Sequence, residues 1–233
     1  MLYGKDEGRG LYDGIGRNFR TSQIKLGLLD KLDSLRGSPC ESQIELRVSQ
    51  FREIGSGSEE KIFEELCFCV LTANYSAKGG ISIQNKIGDG FLYMEEEELK
   101  LTLRELGYRF WNPRYRFIVE NRRLFGMLRD ILGSDVSTFD KRKTLVKEVK
   151  GFGMKEASHF LRNVGIFDVA ILDRHILRVM KEYGYLDEIP KTITEKTYIN
   201  FEKTFFQISD DFGKPPGVLD LYIWFMEKGC VDK

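Results

Sequence analysis

The stretch Thr144–Arg178 constrains the fold of this chain more than any other. Apolar residues recur at helical spacing on both sides of a Gly-Phe-Gly sequence, which predicts two short helices joined by a tight turn. The predicted arms are Thr144–Lys150 and Met154–Val164. An apolar segment then leads to Asp173, which precedes a third helical pattern. The pattern therefore places Lys155 just after the turn and an aspartate at the start of the next helix.

Helical periodicity covers most of the remaining chain, and no alternating pattern indicates a β-strand, so we predict an all-α fold. The segment after Ser58 is apolar on nearly every face, which predicts a buried, central helix. Residues 1–20 are rich in glycine, and we expect them to be loosely ordered. Helices are predicted at Ser22–Leu35, Ile44–Ile54, Ser58 to Leu71, Ser76 to near Gly88, Glu95–Leu106, Pro113 to about Leu132, Arg174–Tyr183, Thr194–Ile208 and Pro216–Glu227.

Length and composition exclude several classes of protein. A chain of 233 residues can bury a sizeable core in one large domain or two small ones. No apolar run approaches the roughly 20 residues of a membrane span, and the N-terminus lacks a secretory apolar region. We therefore expect a soluble cytoplasmic protein, associated with the nucleoid in a prokaryote. The cysteines lack the spacing of a zinc site, which predicts buried thiols and no metal: Cys40, Cys67, Cys69 and Cys230.

The basic residues are concentrated in two segments although the formal net charge is zero. Seven Lys or Arg residues accompany two Glu residues between positions 141 and 162, and a second basic segment runs from Arg109 to Arg123. A neutral chain with local basic segments is compatible with a protein that binds a polyanion through one face.

The turn that contains Gly151 and Gly153 is a predicted phosphate-binding site. Glycine supplies the backbone freedom of a tight turn, and the start of the second helix presents N–H groups and the positive end of the helix dipole. Such a contact positions a DNA duplex without reading its sequence. The alternative is a hairpin whose glycines only cap a helix and whose basic residues face solvent. The complete pattern around the turn favours DNA binding.

Two segments, G-F-G-M-K-E-A-S-H-F-L-R-N-V-G and A-I-L-D-R-H-I-L-R, resemble the helix-hairpin-helix DNA glycosylase superfamily. The blocks E-L-C-F-C-V-L-T-A-N-Y-S-A and L-D-L-Y-I-W-F-M-E-K-G resemble its archaeal, second type of 8-oxoguanine DNA glycosylase/AP lyase. The resemblance covers residues 58–233, and residues 1–57 match weakly. It implies two interleaved helical lobes with a cleft between them and double-stranded DNA containing 8-oxoguanine as the partner. We expect a monomer without a cofactor, since the four closely spaced C-terminal cysteines of an iron–sulfur cluster are missing.

The resemblance gives Lys155 the role of nucleophile. Its amine would attack C1′ of the nucleotide, displace the base and form a Schiff base that permits β-elimination of the 3′ phosphate. Asp173 would stabilise the cationic sugar or assist proton transfer, and it can cap its helix at the same time. In isolation the two residues would be an ordinary surface lysine and an ordinary N-cap. His175 would contact a phosphate beside the lesion, and His159 is expected to be structural.

The base pocket follows less directly from the resemblance. A flipped purine is held by aromatic stacking and by hydrogen bonds to its edge, which makes Trp224 and Trp111 candidates, with core packing as the alternative for both. Lys233, the last residue of the sequence, is expected in the base pocket, where it would help to distinguish 8-oxoguanine from guanine. Asn74 and Tyr75 are candidates for filling the gap that the base leaves in the duplex.

Two alternative functions stay open from the sequence. One is a glycosylase of the same superfamily that acts on another damaged base, for example an oxidised pyrimidine. Lys155 argues against an enzyme without lyase activity. The other is a non-enzymatic DNA-binding module, in which the hairpin alone matters and Asp173 is only a helix cap.

Overall fold

A computed structural model of the protein describes residues 25–231 and 233. The expectation for residues 1–20 and the expected helix start at Ser22 lie outside this part of the chain. The described residues form helices and no strand, which confirms the predicted all-α class. None of these helices combines the length and the apolar character that a membrane crossing needs.

The helices follow one another along the described chain with short connections. They are α1 (25–33), α2 (Pro39–Ser56), α3 (Glu59–Thr72), α4 (Ala77–Ile87), α5 (Gly90–Tyr93), α6 (Glu96–Glu105), α7 (Trp111–Asn121), a 3-10 turn (Arg122–Leu124), α8 (Leu128–Gly133), α9 (Thr138–Glu148), α10 (Met154–Asn163), α11 (Arg174–Glu182), α12 (Glu195–Phe212) and α13 (Pro216–Lys228).

Serine side chains determine where several helices begin. Ser58 and Ser76 accept hydrogen bonds from first-turn N–H groups of α3 and α4, as predicted. Ser38 caps α2, and the proline that follows it occupies the first helical position. The predicted start of this helix at Ile44 is therefore wrong. Ser137 caps α9, which begins before the expected residue Thr144 for the same reason.

The continuous helix predicted from Pro113 to about Leu132 is also wrong. The helix begins at Trp111 and ends at Asn121, and a 3-10 turn follows it. Gly126 then has a φ of 86°, a left-handed conformation that interrupts the helical run before α8. The apolar periodicity of this segment survives the break, which is why the sequence pattern did not show it.

Two hydrophobic cores define two lobes. The first core is built from α3 to α10, and every residue of α3 from Ile62 to Thr72 is buried, which confirms its predicted central place. The second core combines α1 and α2 with α11, α12 and α13. The N-terminal helices therefore pack with the C-terminal ones, and the chain crosses between the lobes after α2 and again after α10.

A buried ion pair joins the two lobes. The side chains of Arg142 in α9 and Glu202 in α12 are 2% and 7% exposed. Arg142 Nη2 donates to Glu202 Oε2 at 2.7 Å, and Arg142 Nη1 donates to Glu202 Oε1 and to Ser158 Oγ. A buried charge needs such a partner, so the pair holds α12 against the helices of the hairpin.

Candidate active site in the cleft

The hairpin between α9 and α10 needs glycine at one of its two positions. Gly151 has a φ of 93°, and a Cβ on it would lie 2.7 Å from Phe117 Cδ2, so a larger residue meets both strain and a clash. Gly153 has a φ of −111° and serves as the N-cap of α10, a conformation that other residues adopt. The predicted requirement for glycine freedom is therefore confirmed at Gly151 and wrong at Gly153.

A buried amide clamps this turn to the first lobe. Asn121, at the end of α7, accepts a hydrogen bond from Lys150 N at 2.7 Å and donates to Lys150 O at 3.1 Å. Both backbone groups of the residue before the glycines are thus held by one side chain that is fully buried. The sequence contained no signal for Asn121, because its partner Lys150 lies 29 positions away in the hairpin turn.

Lys155 lies in the first turn of α10, and its side chain is 26% exposed. Its Nζ is 3.1 Å from Glu156 Oε1. The other oxygen of this carboxylate, Oε2, accepts a long hydrogen bond of 3.4 Å from Gly153 N. Glu156 therefore links the lysine to the hairpin turn, a role that the sequence did not suggest.

Asp173 caps α11, as its position before the helix predicted. Its Oδ1 accepts hydrogen bonds from His175 N and Ile176 N, both at 2.8 Å. Within the described residues its Oδ2 has no hydrogen-bond partner, so this oxygen stays available. The cap holds the carboxylate in a fixed orientation.

Two cavities meet at Lys155 and Asp173. The larger, of about 980 Å³, is also lined by Asn74 and Tyr75 from the loop between α3 and α4. The smaller, of about 270 Å³, contains Tyr75 as well and extends to Trp224 and Lys233. Asn74 is exposed and has a φ of 64°, a left-handed conformation that asparagine tolerates better than most residues. The structure thus brings most of the proposed site residues together.

His175 and the tryptophans occupy different places. His175 is 7% exposed and stacks on Trp224, with ring centroids 4.6 Å apart and a 37° angle between planes. Burial lowers the pKa of His175. Trp111 lies at the start of α7 against the first core, with the Arg104 guanidinium 5.8 Å from its ring centroid, and it lines neither cavity. Phosphate contact by His175 and base stacking by Trp111 stay predictions.

Lys233 lines the smaller cavity, and its amine binds side chains of the first lobe. Its Nζ is 2.7 Å from Glu65 Oε2, 2.8 Å from Gln84 Oε1 and 4.8 Å from the centroid of the Phe68 ring. The sequence predicts Lys233 in the pocket but does not indicate Glu65 or Gln84. The position of Glu65 inside the apolar run of α3 could have indicated such a partner, since a buried carboxylate requires one.

A second buried ion pair lies in the wall of the smaller cavity. Arg162 Nη1 donates to Asp220 Oδ2 at 3.2 Å, and both side chains are at most 3% exposed. Burial raises the pKa of Asp220 to about 7, against the opposing effect of Arg162. The sequence places Arg142 and Arg162 in a basic binding face, and this interpretation is wrong for both because their side chains are buried.

Within the described residues, no cysteine lines either cavity. Cys40, Cys67 and Cys69 are buried as predicted, whereas Cys230 is exposed, so the prediction of buried thiols is wrong for that residue. Across residues 25–231 and 233, no three His, Cys, Asp or Glu side chains are grouped as metal ligands.

Comparison with known proteins places this geometry in one family. The family model described as 8-oxoguanine DNA glycosylase matches residues 44–214. The 8-oxoguanine DNA glycosylase/AP lyase of Thermotoga maritima is 47% identical over 207 residues, which are 88% of this chain and 99% of the relative. The corresponding protein of Methanocaldococcus jannaschii is 46% identical over 206 residues, with the same coverage.

Solved structures agree with the sequence comparison. The crystal structure of the Thermotoga maritima 8-oxoguanine DNA glycosylase superposes with a TM-score of 0.85, covering 90% of this chain and all of that one. The Methanocaldococcus jannaschii glycosylase/lyase in complex with 15mer DNA containing 8-oxoguanine gives the same TM-score at 46% identity, covering 88% and 99%. This chain therefore belongs to the 8-oxoguanine DNA glycosylase family.

Proposed function

We propose that this protein removes 8-oxoguanine from double-stranded DNA and then cleaves the strand 3′ to the abasic site. One observation carries the proposal: Lys155 and Asp173 line both cavities and lie where the two meet. The bifunctional names of the relatives, which are glycosylases and AP lyases, support the two successive reactions. The relative solved with DNA containing 8-oxoguanine supports this lesion as the substrate.

The flipped base would occupy the smaller cavity. Trp224 lines it, and stacking on an aromatic ring is a common way to hold an extruded base. With the base in this cavity, the sugar lies where the cavities meet, next to Lys155 and Asp173. The larger cavity, which Asn74 and Tyr75 line, would then receive the DNA backbone, and these two residues would fill the gap in the duplex.

Base removal begins when the Lys155 amine attacks C1′ of the nucleotide. The bond from C1′ to the base breaks, and its electron pair leaves with the base, which gains a proton. The amine loses one proton as it bonds to C1′, and the C1′–O4′ bond then opens as O4′ takes up a proton, which leaves a protonated Schiff base at C1′. The free Oδ2 of Asp173 supplies negative charge beside the cationic sugar and accepts a proton from the amine. Because the cap fixes this carboxylate, little reorganisation accompanies the step.

Strand cleavage follows from the same imine. The iminium at C1′ acidifies the proton on C2′, and loss of that proton breaks the bond between C3′ and the 3′ phosphate oxygen. The hairpin turn at Gly151 and the N-terminus of α10 would hold the DNA backbone through N–H groups and the helix dipole. No second subunit enters this scheme, and we expect a monomer.

Borohydride trapping tests the proposal. Wild type and Lys155→Gln are incubated with duplexes that contain 8-oxoguanine, an oxidised pyrimidine or no damage. We expect a covalent adduct for the wild type with 8-oxoguanine and none for Lys155→Gln. Lys100→Gln is the matched control, because Lys100 is 30% exposed and also pairs with a glutamate but lies on α6 in the first lobe.

Each outcome separates the candidate functions. DNA binding without an adduct from the wild type would favour the non-enzymatic module. A stronger adduct with the oxidised pyrimidine would favour a glycosylase for another base. An adduct that survives in Lys155→Gln would move the nucleophile to another residue.

A further inference from the structure

Side chains of the protein itself bind the amine of Lys233. It lies within hydrogen-bond distance of Glu65 Oε2 and Gln84 Oε1 and over the ring of Phe68, and its side chain is only 14% exposed. An ammonium group has three donors and no acceptor. One carboxylate oxygen, one amide oxygen and an aromatic face therefore take up most of the binding capacity of this ammonium group. These contacts are typical of a side chain that anchors the chain, and not of one that recognises the substrate.

Glu65 is the centre of the arrangement that holds this amine. Its carboxylate is 1% exposed and accepts hydrogen bonds from Asn163 Nδ2 at 2.6 Å and Gln84 Nε2 at 3.3 Å, besides Lys233. The Gln84 amide thus donates to Glu65 and accepts from Lys233, so its orientation follows from its partners. Three helices, α3, α4 and α10, contribute to this site.

The anchor spans the two lobes. Lys233 follows α13, which packs in the second core, and Arg47 Nη2 of α2 holds Val231 O at 3.2 Å on that side. Glu65 and Gln84 belong to the first lobe. Val231 is therefore held on the side of the second lobe, and the Lys233 amine is held on the side of the first. Lys233 lines the cavity of about 270 Å³ that also contains Lys155 and Asp173.

A buried carboxylate without a cation is costly, and so is a buried ammonium without an anion. Each of the two groups is therefore held in place by the other. Moving Lys233 out of the cavity wall would leave Glu65 charged and buried in the apolar environment of α3. The ion pair between Glu65 and Lys233 thus fixes the position of Lys233 in the cavity wall and also neutralises its charge.

We propose that Glu65, together with the Gln84 amide that it orients, is a positioning residue that seats Lys233 in the wall of the base cavity. The Lys233 amine is an anchor, and its own contacts do not read the base. This inference rests on the proposed function, since it names what sets the shape of the cavity that receives 8-oxoguanine. Base excision needs this wall. Cleavage at a site that has already lost its base does not.

The test compares two reactions of Glu65→Gln. Single-turnover excision is measured on a duplex with 8-oxoguanine, and strand cleavage is measured on a duplex with a preformed abasic site. We expect excision to fall about tenfold or more, the factor that corresponds to a lost charge-assisted hydrogen bond. Abasic-site cleavage should stay within about twofold of the wild type.

Glu64→Gln is the matched control. Glu64 is the adjacent residue of α3, is largely buried, and pairs with the more exposed Lys61 at 3.0 Å. We expect both of its reactions to match the wild type. Should Glu65→Gln fail to fold, Gln84→Met carries the same test, because it removes an acceptor of the Lys233 amine with little change in volume.

Three results would overturn the inference. Excision by Glu65→Gln at the wild-type rate would show that the anchor is dispensable. An equal loss of both reactions would indicate a general structural role. A further loss of about tenfold when Lys233→Met is added to Glu65→Gln would show that the amine reads the base. If the wild type itself does not excise 8-oxoguanine, the proposed function fails, independently of how Glu65→Gln compares with it at abasic sites.

Discussion

Glu202→Gln is expected to lower the free energy of unfolding by about 3–5 kcal/mol, because it leaves the Arg142 guanidinium inside the protein without a counter-charge. The two side chains are 2% and 7% exposed, so water does not screen the remaining charge. Glutamine still accepts a hydrogen bond but carries no charge. For a chain of this length each kcal/mol corresponds to about 2–4 °C, which predicts a melting temperature lower by about 6–20 °C.

Thermal and denaturant unfolding, followed by circular dichroism, measure this loss. Glu120→Gln is the control: Glu120 lies 3.9 Å from Lys150 with both side chains about half exposed, so we expect 0–1 kcal/mol. The double variant Arg142→Met and Glu202→Leu removes both charges and should be more stable than Glu202→Gln alone. A loss in Glu202→Gln no larger than in the control would refute the role of the pair in joining the lobes.

Asp173→Asn keeps a side chain that can cap α11, so its melting temperature should stay within about 2 °C of the wild type. Single-turnover excision should fall about a hundredfold or more, because the carboxylate charge is lost. A loss of stability that accompanies the loss of excision would contradict a catalytic role for the carboxylate. Hydrogen bonds from Gly37 N and Tyr222 OH lower the pKa of Glu41 from 4.5 to about 2. Because this pKa is depressed in the folded state, the bonds stabilise the fold above pH 4.5, and the contribution is lost as pH falls towards 2. Between pH 4.5 and pH 2, Glu41→Gln should therefore lose less stability than the wild type in denaturant titrations. Identical pH profiles for the two proteins would contradict this role of Glu41. Asn74→Gly should retain stability because glycine accepts its φ of 64°, but lower the excision rate; an unchanged rate would remove Asn74 from the gap-filling role.

The local features of this fold were predictable because they depend on neighbouring residues. The caps at Ser58 and Ser76 and the helix start after Asp173 are each decided within one helical turn, where spacing in the sequence equals spacing in the structure. The buried character of α3 followed from its composition. The break at Gly126 was not predicted, because apolar periodicity continues across it.

The sequence by itself determined the helical class, the hairpin and the lysine and aspartate that follow it. Only the tertiary structure decided which charges lie at the surface and which are buried. Arg142 pairs with a glutamate 60 positions away, Arg162 with an aspartate 58 away, and Lys233 with a glutamate 168 away. A charged side chain can be buried only if the packing of the two lobes brings a partner to it. Residue spacing along the chain does not indicate that partner.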